Sequence, residues 1–292
     1  MYFNWSKIEP VLKGWSEDKK FYIEDNLGEN FLLKLSDLSK YEVKRLEYNY
    51  IKKVAALGIT TSKPVDFGIS SNNGYVYSLF TWVEGEEAEL VLSKYSEKEQ
   101  YNIGLRAGNI LQKIHTINDY NCEKEWSEKY KQKIYKKIEQ YGNSPIKFEN
   151  DSAFINYIKE NISYLDNRPQ TFLHGDYHVG NLIISPKRDV GVIDFNRMDI
   201  GDPWEEFNRC VFSCRVSIPF VIGQIHGYFD CNVPDEFFRL MALYIATNTI
   251  SSIPWAIPFG EVEIKYMMDN AKKVFEWYDG FKTYIPLWYR EY

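Results

Sequence analysis

The sequence predicts an α+β fold of two lobes, a β-rich first lobe over residues 1–84 and a mainly helical second lobe over residues 85–292. Three observations predict it. Two β-rich runs, residues 21–24 and 31–35, flank a turn at 25–28 that carries Asn26 and Gly28, so the chain opens with a hairpin. After Glu84-Gly85 the pattern changes to long helical periodicities over 96–117 and 121–141. A chain of 292 residues that is 45% hydrophobic and 26% charged can bury a sizeable core, and it is neither disordered nor fibrous.

Local chemistry justifies the remaining elements. Residues 36–57 read as a helix, because Val43, Glu47, Ile51 and Val54 recur at helical spacing and Gly58 provides a C-terminal stop. Strand-like text returns at 64–68 and 75–83. In the second lobe an amphipathic segment covers 153–165, and residues 142–150 form a surface loop. No internal repeat or low-complexity tract is visible.

The 35 Lys and Arg residues against 41 Asp and Glu leave a net charge of -6, which argues against a general grip on nucleic-acid phosphates and suits a cationic small molecule. Four cysteines without a Cys-x-x-Cys pair do not make a disulfide framework and point to a reducing, cytoplasmic setting. Residues 1–10 hold Asn4, Ser6, Lys7 and Glu9, so no apolar leader is expected there. The apolar stretch 211–225 is broken by Arg215 and Pro219 and is shorter than the ~20 residues of a membrane span. No nucleic-acid or membrane partner is expected, and oligomeric state leaves no mark in the sequence.

The chemistry concentrates in residues 173–194, which read loop, strand, turn, strand. If Ser185 faces Val190 across the turn, Asn181 falls opposite Asp194. Side chains so placed have Cβ atoms about 4.5–5.5 Å apart, close enough for an amide oxygen and a carboxylate to share one hard cation, a magnesium site by geometry. Asp176 stands five residues before Asn181, in a loop with two glycines, where it could accept a proton from an incoming hydroxyl. Glu47 lies on the apolar stripe of its helix and needs a partner to offset desolvation, for which Lys34 is the candidate. His174 and His178 do not form a zinc pair, since Gly175 and Gly180 oppose a helix through them. Gly-x-Ser-x-Gly text is absent, so acyl transfer has no local support.

His174-Gly-Asp176-x-x-x-x-Asn181, followed by Ile193-Asp194-Phe195, resembles the motif of the aminoglycoside phosphotransferase and choline kinase group, small-molecule relatives of protein kinases. Lys34, Glu47, a hinge-like stretch over 80–85 and Gly201-Asp-Pro203 match in order, so the resemblance covers nearly the whole chain. It implies a two-lobed protein-kinase-like fold with an N-terminal nucleotide-binding lobe and a C-terminal catalytic and acceptor-binding lobe. It implies Asp176 as catalytic base, Asn181 and Asp194 as Mg2+ ligands, and Lys34 on the phosphates, oriented by Glu47. Backbone groups at Thr81, Trp82 and Val83 would meet the purine of ATP or GTP. Lys13-Gly14-Trp-Ser16 resembles the reduced phosphate loop of these enzymes, with the Ser16 hydroxyl and backbone N–H groups in place of a glycine nest. Asp202 would brace the catalytic loop, while Glu206 stands where Asp is more usual. Asp199, Glu205 and Glu206 are the carboxylates nearest the metal residues in sequence and could face an ammonium-bearing acceptor.

The expected reaction is therefore transfer of a γ-phosphoryl group to a hydroxyl of a small cationic molecule, first of all an aminoglycoside-like antibiotic, with resistance as the role. A macrolide, a choline-like alcohol or another metabolite is the alternative acceptor. A nucleotide-binding pseudokinase acting as an interaction module is the alternative of another class, opposed by the joint retention of Lys34, Asp176, Asn181 and Asp194. The missing glycine-rich loop and the absence of His-Arg-Asp text disfavour a protein kinase.

Overall fold

The computed structural model describes residues 5–12, 17–70, 74–118 and 124–291; Ser16, with the rest of the expected phosphate loop, lies outside them. The chain forms two compact units, Met1–Val91 with Val179–Met198, and Leu92–His178 with Asp199–Tyr292.

In chain order the first unit begins with β1 (Trp5–Val11), β2 (Lys19–Asp25), β3 (Asn30–Asp37), α1 (Tyr41–Ala56), β4 (Thr60–Thr61), β5 (Pro64–Ile69), β6 (Tyr75–Thr81), β7 (Glu86–Glu87) and the short α2 (Ala88–Val91). The second unit follows with α3 (Glu97–Ile114), α4 (Trp126–Gly142), α5 (Asp151–Asn161) and β8 (Thr171–Leu173). The chain then re-enters the first unit as β9 (Leu182–Ile184) and β10 (Val190–Val192). It finishes in the second as β11 (Asp199–Gly201), α6 (Cys210–Val216), α7 (Ile218–Tyr228), α8 (Asp235–Ala256) and α9 (Glu261–Trp277).

The first unit carries a five-stranded antiparallel sheet ordered β1-β2-β3-β6-β5 and a four-stranded one ordered β4-β10-β9-β7. The second sheet explains why residues 179–198 belong here, although the sequence reading left them in the second lobe. β10 runs parallel to β4 and β9 pairs with β7, so both strands satisfy their backbone groups against this unit. Gly85 is required at that junction, since its φ is +139° and a Cβ there would stand 2.6 Å from the Ile184 carbonyl oxygen.

The hairpin at 25–28 forms as expected, with Asp25 Oδ1 accepting from the amides of Leu27 and Glu29. Helix α1 also forms, but its buried face differs from the expected stripe. Val43 is 64% exposed, and Lys44, Glu47, Tyr48, Ile51 and Val54 face inward.

The second unit is helical around α8, whose residues 240–247 are buried without interruption. Among the described residues α8 and the turn after it form the one helix long and apolar enough to cross a membrane, yet 67% of that window is buried in protein. Helices α3 and α7 approach closely because glycines face each other: a Cβ on Gly104 or Gly108 would lie 2.1 Å from a carbonyl oxygen of α7, and one on Gly223 or Gly227 equally close to α3.

Candidate functional site

In the first unit a cavity of about 260 Å³ is lined on one side by Lys20, Lys34, Asn181 and Asp194, and elsewhere by apolar groups including Leu32, Phe80, Ile183 and Ile193. The β2–β3 register sets Lys20 directly opposite Lys34, so both ammonium groups project from one face of the sheet. Lys20 Nζ donates to Asp194 Oδ2 at 2.9 Å. Lys34 Nζ donates to Glu47 Oε1 at 3.2 Å and to Asn196 Oδ1 at 3.1 Å, and stands 3.5 Å from Asp194 Oδ1.

The expected Lys34–Glu47 pair is thus present, inside a longer chain of charges. Lys44 bridges Glu47 at 3.0 Å and Asp18 at 2.5 Å, and Ser36 donates to Asp18 at 2.8 Å. Burial pushes the Lys34 pKa down, but Glu47 and Asp194 more than reverse this and the net shift is upward, so Lys34 is a cation. Burial likewise pushes Asp18 up, and the Lys44 and Ser36 contacts bring it below its ordinary value. Sequence reasoning missed Lys44 and Asp18; the signal was present in the spacing, since Lys44 stands one turn before the stripe glutamate.

Asn181 and Asp194 reach the cavity by a route other than the expected one. Val190 pairs with Ile184, and the amide of Ile193 donates to the Asn181 carbonyl at 3.0 Å, so Asn181 lies opposite Ile193 and not Asp194. A slip of one residue turns a strand side chain to the other face. Asp194 compensates by leaving strand geometry, with φ at +64°, which swings its carboxylate back toward Lys20 and Lys34. Asn181 ends a 3-10 turn, Val179–Asn181, immediately before β9. The two residues carry an amide and a carboxylate, hard oxygen donors of the kind Mg2+ takes, and the carboxylate already attracts two cations, so the residues present fit a divalent ion.

Of the three expected purine contacts, Trp82 and Val83 line the cavity and Thr81 does not. Thr81 is tied to Lys63, donating its amide to the Lys63 carbonyl and accepting from the Lys63 amide at its hydroxyl, both at 2.9 Å. The Trp82 amide is engaged by the Asn30 carbonyl at 2.9 Å. Among the described residues the Val83 N–H has no such partner.

In the second unit His174 is fully buried and its Nδ1 accepts from the Asp176 amide at 3.2 Å, which fixes the Nε2–H tautomer and holds the loop. Asp176 Oδ1 lies 3.2 Å from Arg209 Nε, and Oδ2 lies 3.8 Å from His178 Nε2. Arg209 was not found by sequence reasoning, because nothing in its local text separates it from an ordinary helix arginine.

Bracing of the loop that carries Asp176 falls to Glu206, not Asp202. The Glu206 carboxylate accepts from the amides of His174 at 3.0 Å and Gly175 at 2.7 Å, and burial raises its pKa to about 8 despite both amides. Asp202 instead caps the turn Pro203–Arg209 through the Trp204 amide, and takes Arg168 in a two-pronged pair at 2.7 and 3.0 Å and the Tyr244 hydroxyl at 2.6 Å.

The other carboxylates expected near an acceptor are also engaged by protein groups. Asp199 pairs with Lys129 at 2.8 Å, and Glu205 is buried and pairs with Lys133 at 2.9 Å. One turn further along α4, the half-buried Lys137 lies within electrostatic reach of Lys133, Glu205 and Arg209. Burial, then Lys133, depresses its pKa to about 7.

This is the protein-kinase-like fold of small-molecule kinases. A model of the phosphotransferase enzyme family matches residues 7–240, and the chain belongs to that family. The chain is similar in structure to aminoglycoside 2'-phosphotransferase-IIIa in its GDP complex, with a TM-score of 0.68 at 14% identity over 93% of each chain. It is similar to a thermostable mutant of aminoglycoside phosphotransferase APH(4)-Ia in a ternary complex with ADP and hygromycin B, with a TM-score of 0.64 at 14% identity over 92% of this chain and 93% of that one. Amicoumacin kinase hAmiN, in complex with AMP-PNP, Ca2+ and Ami, gives a TM-score of 0.64 at 13% identity, covering 95% of this chain and 90% of its own. None of the curated proteins matches the chain.

Proposed function

We propose that this phosphotransferase moves the γ-phosphoryl group of ATP or GTP to a hydroxyl of a small molecule. The observation that carries the reading is the cavity of the first unit. It sets two lysine ammonium groups beside Asn181 and Asp194, with apolar side chains to receive a base. The phosphotransferase family and the nucleotides bound by similar structures support it.

Lys34, kept cationic and aimed by Glu47, would neutralise phosphate charge. Asn181 and Asp194 would hold Mg2+, which supplies further neutralisation of the phosphates when bound. The Val83 amide would donate to the purine edge. Asp176, held by the hydrogen bond its backbone N–H donates to His174 Nδ1 and paired with Arg209, would accept the proton of the acceptor hydroxyl. Phosphoryl transfer asks mainly for positioning and charge, so Asp176 need not be strongly basic.

Asp199, Glu205 and Glu206 were the carboxylates expected to face a cationic acceptor, and each is engaged within the protein. Lys137 favours a second reading of the acceptor, a hydroxy compound that also bears a carboxylate or another anion. A coupled nucleotide-turnover assay tests both, offering an aminoglycoside, a macrolide, choline and small hydroxy acids with ATP and GTP side by side. The expected result is acceptor-stimulated turnover that falls by about 10²–10⁴-fold in Asp176→Asn. Nucleotide binding with no transfer to any acceptor of the panel would favour the pseudokinase module.

A further inference from the structure

We propose that Lys20 is a second phosphate-binding lysine and the guard of Asp194. It holds the carboxylate until a nucleotide's phosphates draw it away, so nucleotide and metal binding are coupled through this one side chain. The inference rests on the nucleotide reading of the cavity given above.

Strand register supplies the first argument. Lys20 and Lys34 are directly opposed across β2 and β3, and like charges so placed repel. Both side chains are also withdrawn from water, 10% and 5% exposed. An apolar residue at position 20 would fit Val11, Leu32 and Phe80, which line the same cavity. A lysine there costs stability unless an anion meets it.

The inventory of partners supplies the second. Lys34 has Glu47 and Asn196 besides Asp194. Among the described residues the Lys20 ammonium has one partner, Asp194. If the Asp194 carboxylate turns to a divalent cation, Lys20 loses that partner while remaining beside the cavity. The anion that can then receive it is the ligand's phosphate. A compact ammonium on a four-carbon stem can exchange one oxygen partner for another without moving the strand.

Binding linkage gives the consequence. While Lys20 occupies Asp194, a metal ion arriving alone must displace it; when phosphate takes Lys20, the carboxylate is released. Lys20→Met should therefore move two affinities in opposite directions. A merely structural lysine would lower both or neither.

The experiment titrates the full-length protein with ADP in the absence of divalent metal by calorimetry, and with Mn2+ alone by electron paramagnetic resonance. In Lys20→Met, metal-free ADP should bind about 5- to 10-fold more weakly and Mn2+ alone about 3- to 10-fold more tightly, within the range of ordinary coupling energies. The factor by which ADP strengthens Mn2+ binding should shrink. Lys20→Arg should keep the wild-type affinity for metal-free ADP. Should Lys20→Met fail to fold, Lys20→Gln is read in the same way, and loss of the fold in both assigns Lys20 to the scaffold and overturns the proposal. Unchanged ADP affinity, or Mn2+ affinity that is unchanged or lower, overturns it while leaving the nucleotide reading intact. Wild-type protein that binds no ADP removes that reading and the proposal together.

Discussion

Two buried charge networks, one in each unit, are made of the same kinds of group and end differently. Around Asp202 the network is closed. Its two carboxylate oxygens receive Arg168, the Tyr244 hydroxyl and the Trp204 amide, Trp126 donates to Tyr244 at 2.9 Å, and the Arg168 guanidinium carbon lies 3.7 Å from the centre of the Trp204 ring. Asp202 itself is 0% exposed. Around Asp194 the corresponding chain, from Ser36 through Asp18, Lys44, Glu47 and Lys34, ends at a carboxylate and two ammonium groups that line a cavity. Buried ion pairs are weak contributors to stability when compared with apolar packing, and costly when one partner is removed. The closed network can therefore only hold structure, whereas the open one has ends that can change partners.

That difference predicts opposite patterns of damage. Asp194→Asn should have the largest effect on turnover, about a 10³-fold loss or more, because it removes the carboxylate that would hold Mg2+ against the phosphates. Its melting temperature should fall only modestly, because Lys20 loses its one charged partner among the described residues while Glu47 still holds Lys34. Steady-state turnover with calorimetric melting checks both halves. A collapse of stability equal to the loss of activity would make the open network structural too.

Arg168→Met should show the reverse. It leaves the Asp202 carboxylate buried with its strongest partner gone, at a cost of about 3 kcal/mol, near the lower end for a broken buried pair. ADP affinity measured on the folded protein should be unchanged. A Tm close to wild type would show that Tyr244 and the Trp204 amide suffice to hold the charge.

The open network was also the harder of the two to read in the sequence, for a physical reason. Lys34, Glu47, Asn181 and Asp194 in the first unit and Asp176 in the second stood out because charged or amide groups fall in apolar or glycine-rich text. The fold class followed from periodicity. Register did not follow: a pairing sum one residue too high set Asn181 against Asp194, and the left-handed turn at Asp194 that restores their common face has no marker in Val-Ile-Asp-Phe. Lys20 was invisible because its meaning depends on that same kind of information, the register that sets it opposite Lys34. Val43 was read as buried and Lys44 ignored, because an apolar residue fits the stripe by type even where a lysine one position on is held by two carboxylates. The carboxylates at 199, 205 and 206 were legible as charges but not as charges already matched by α4 lysines and loop amides, which are distant in sequence.

The smallest expected effect lies where the two patterns meet, at Glu206, a buried carboxyl that holds the Asp176 loop. Its pKa is raised from 4.5 to about 8, so the folded state holds a proton that the unfolded chain releases. Its stabilisation is complete below about pH 4.5 and is lost as pH rises through about 8. Two other groups, one with its side chain buried and one half-buried, act in the opposite sense. His115, bonded to the Tyr228 hydroxyl and depressed from 6.5 to about 3, favours the fold above pH 6.5 and loses that contribution as pH falls. Lys137, depressed from 10.5 to about 7, adds stability as pH rises from 7 toward 10.5. The net slope of the wild type between pH 6 and 9 is therefore shallow, and the informative quantity is a difference between variants. Glu206→Gln, which sets an NH2 donor against one of the two loop amides, should be less stable by about 1–2 kcal/mol near neutral pH. Its melting temperature should nevertheless rise more steeply than wild type between pH 6 and 9, because a group that opposes Lys137 in that window no longer titrates. Parallel melting curves for the two proteins would mean that the His174 and Gly175 amides keep Glu206 ionised, and that the Asp176 loop rests on a buried charge, as the Asp202 network does.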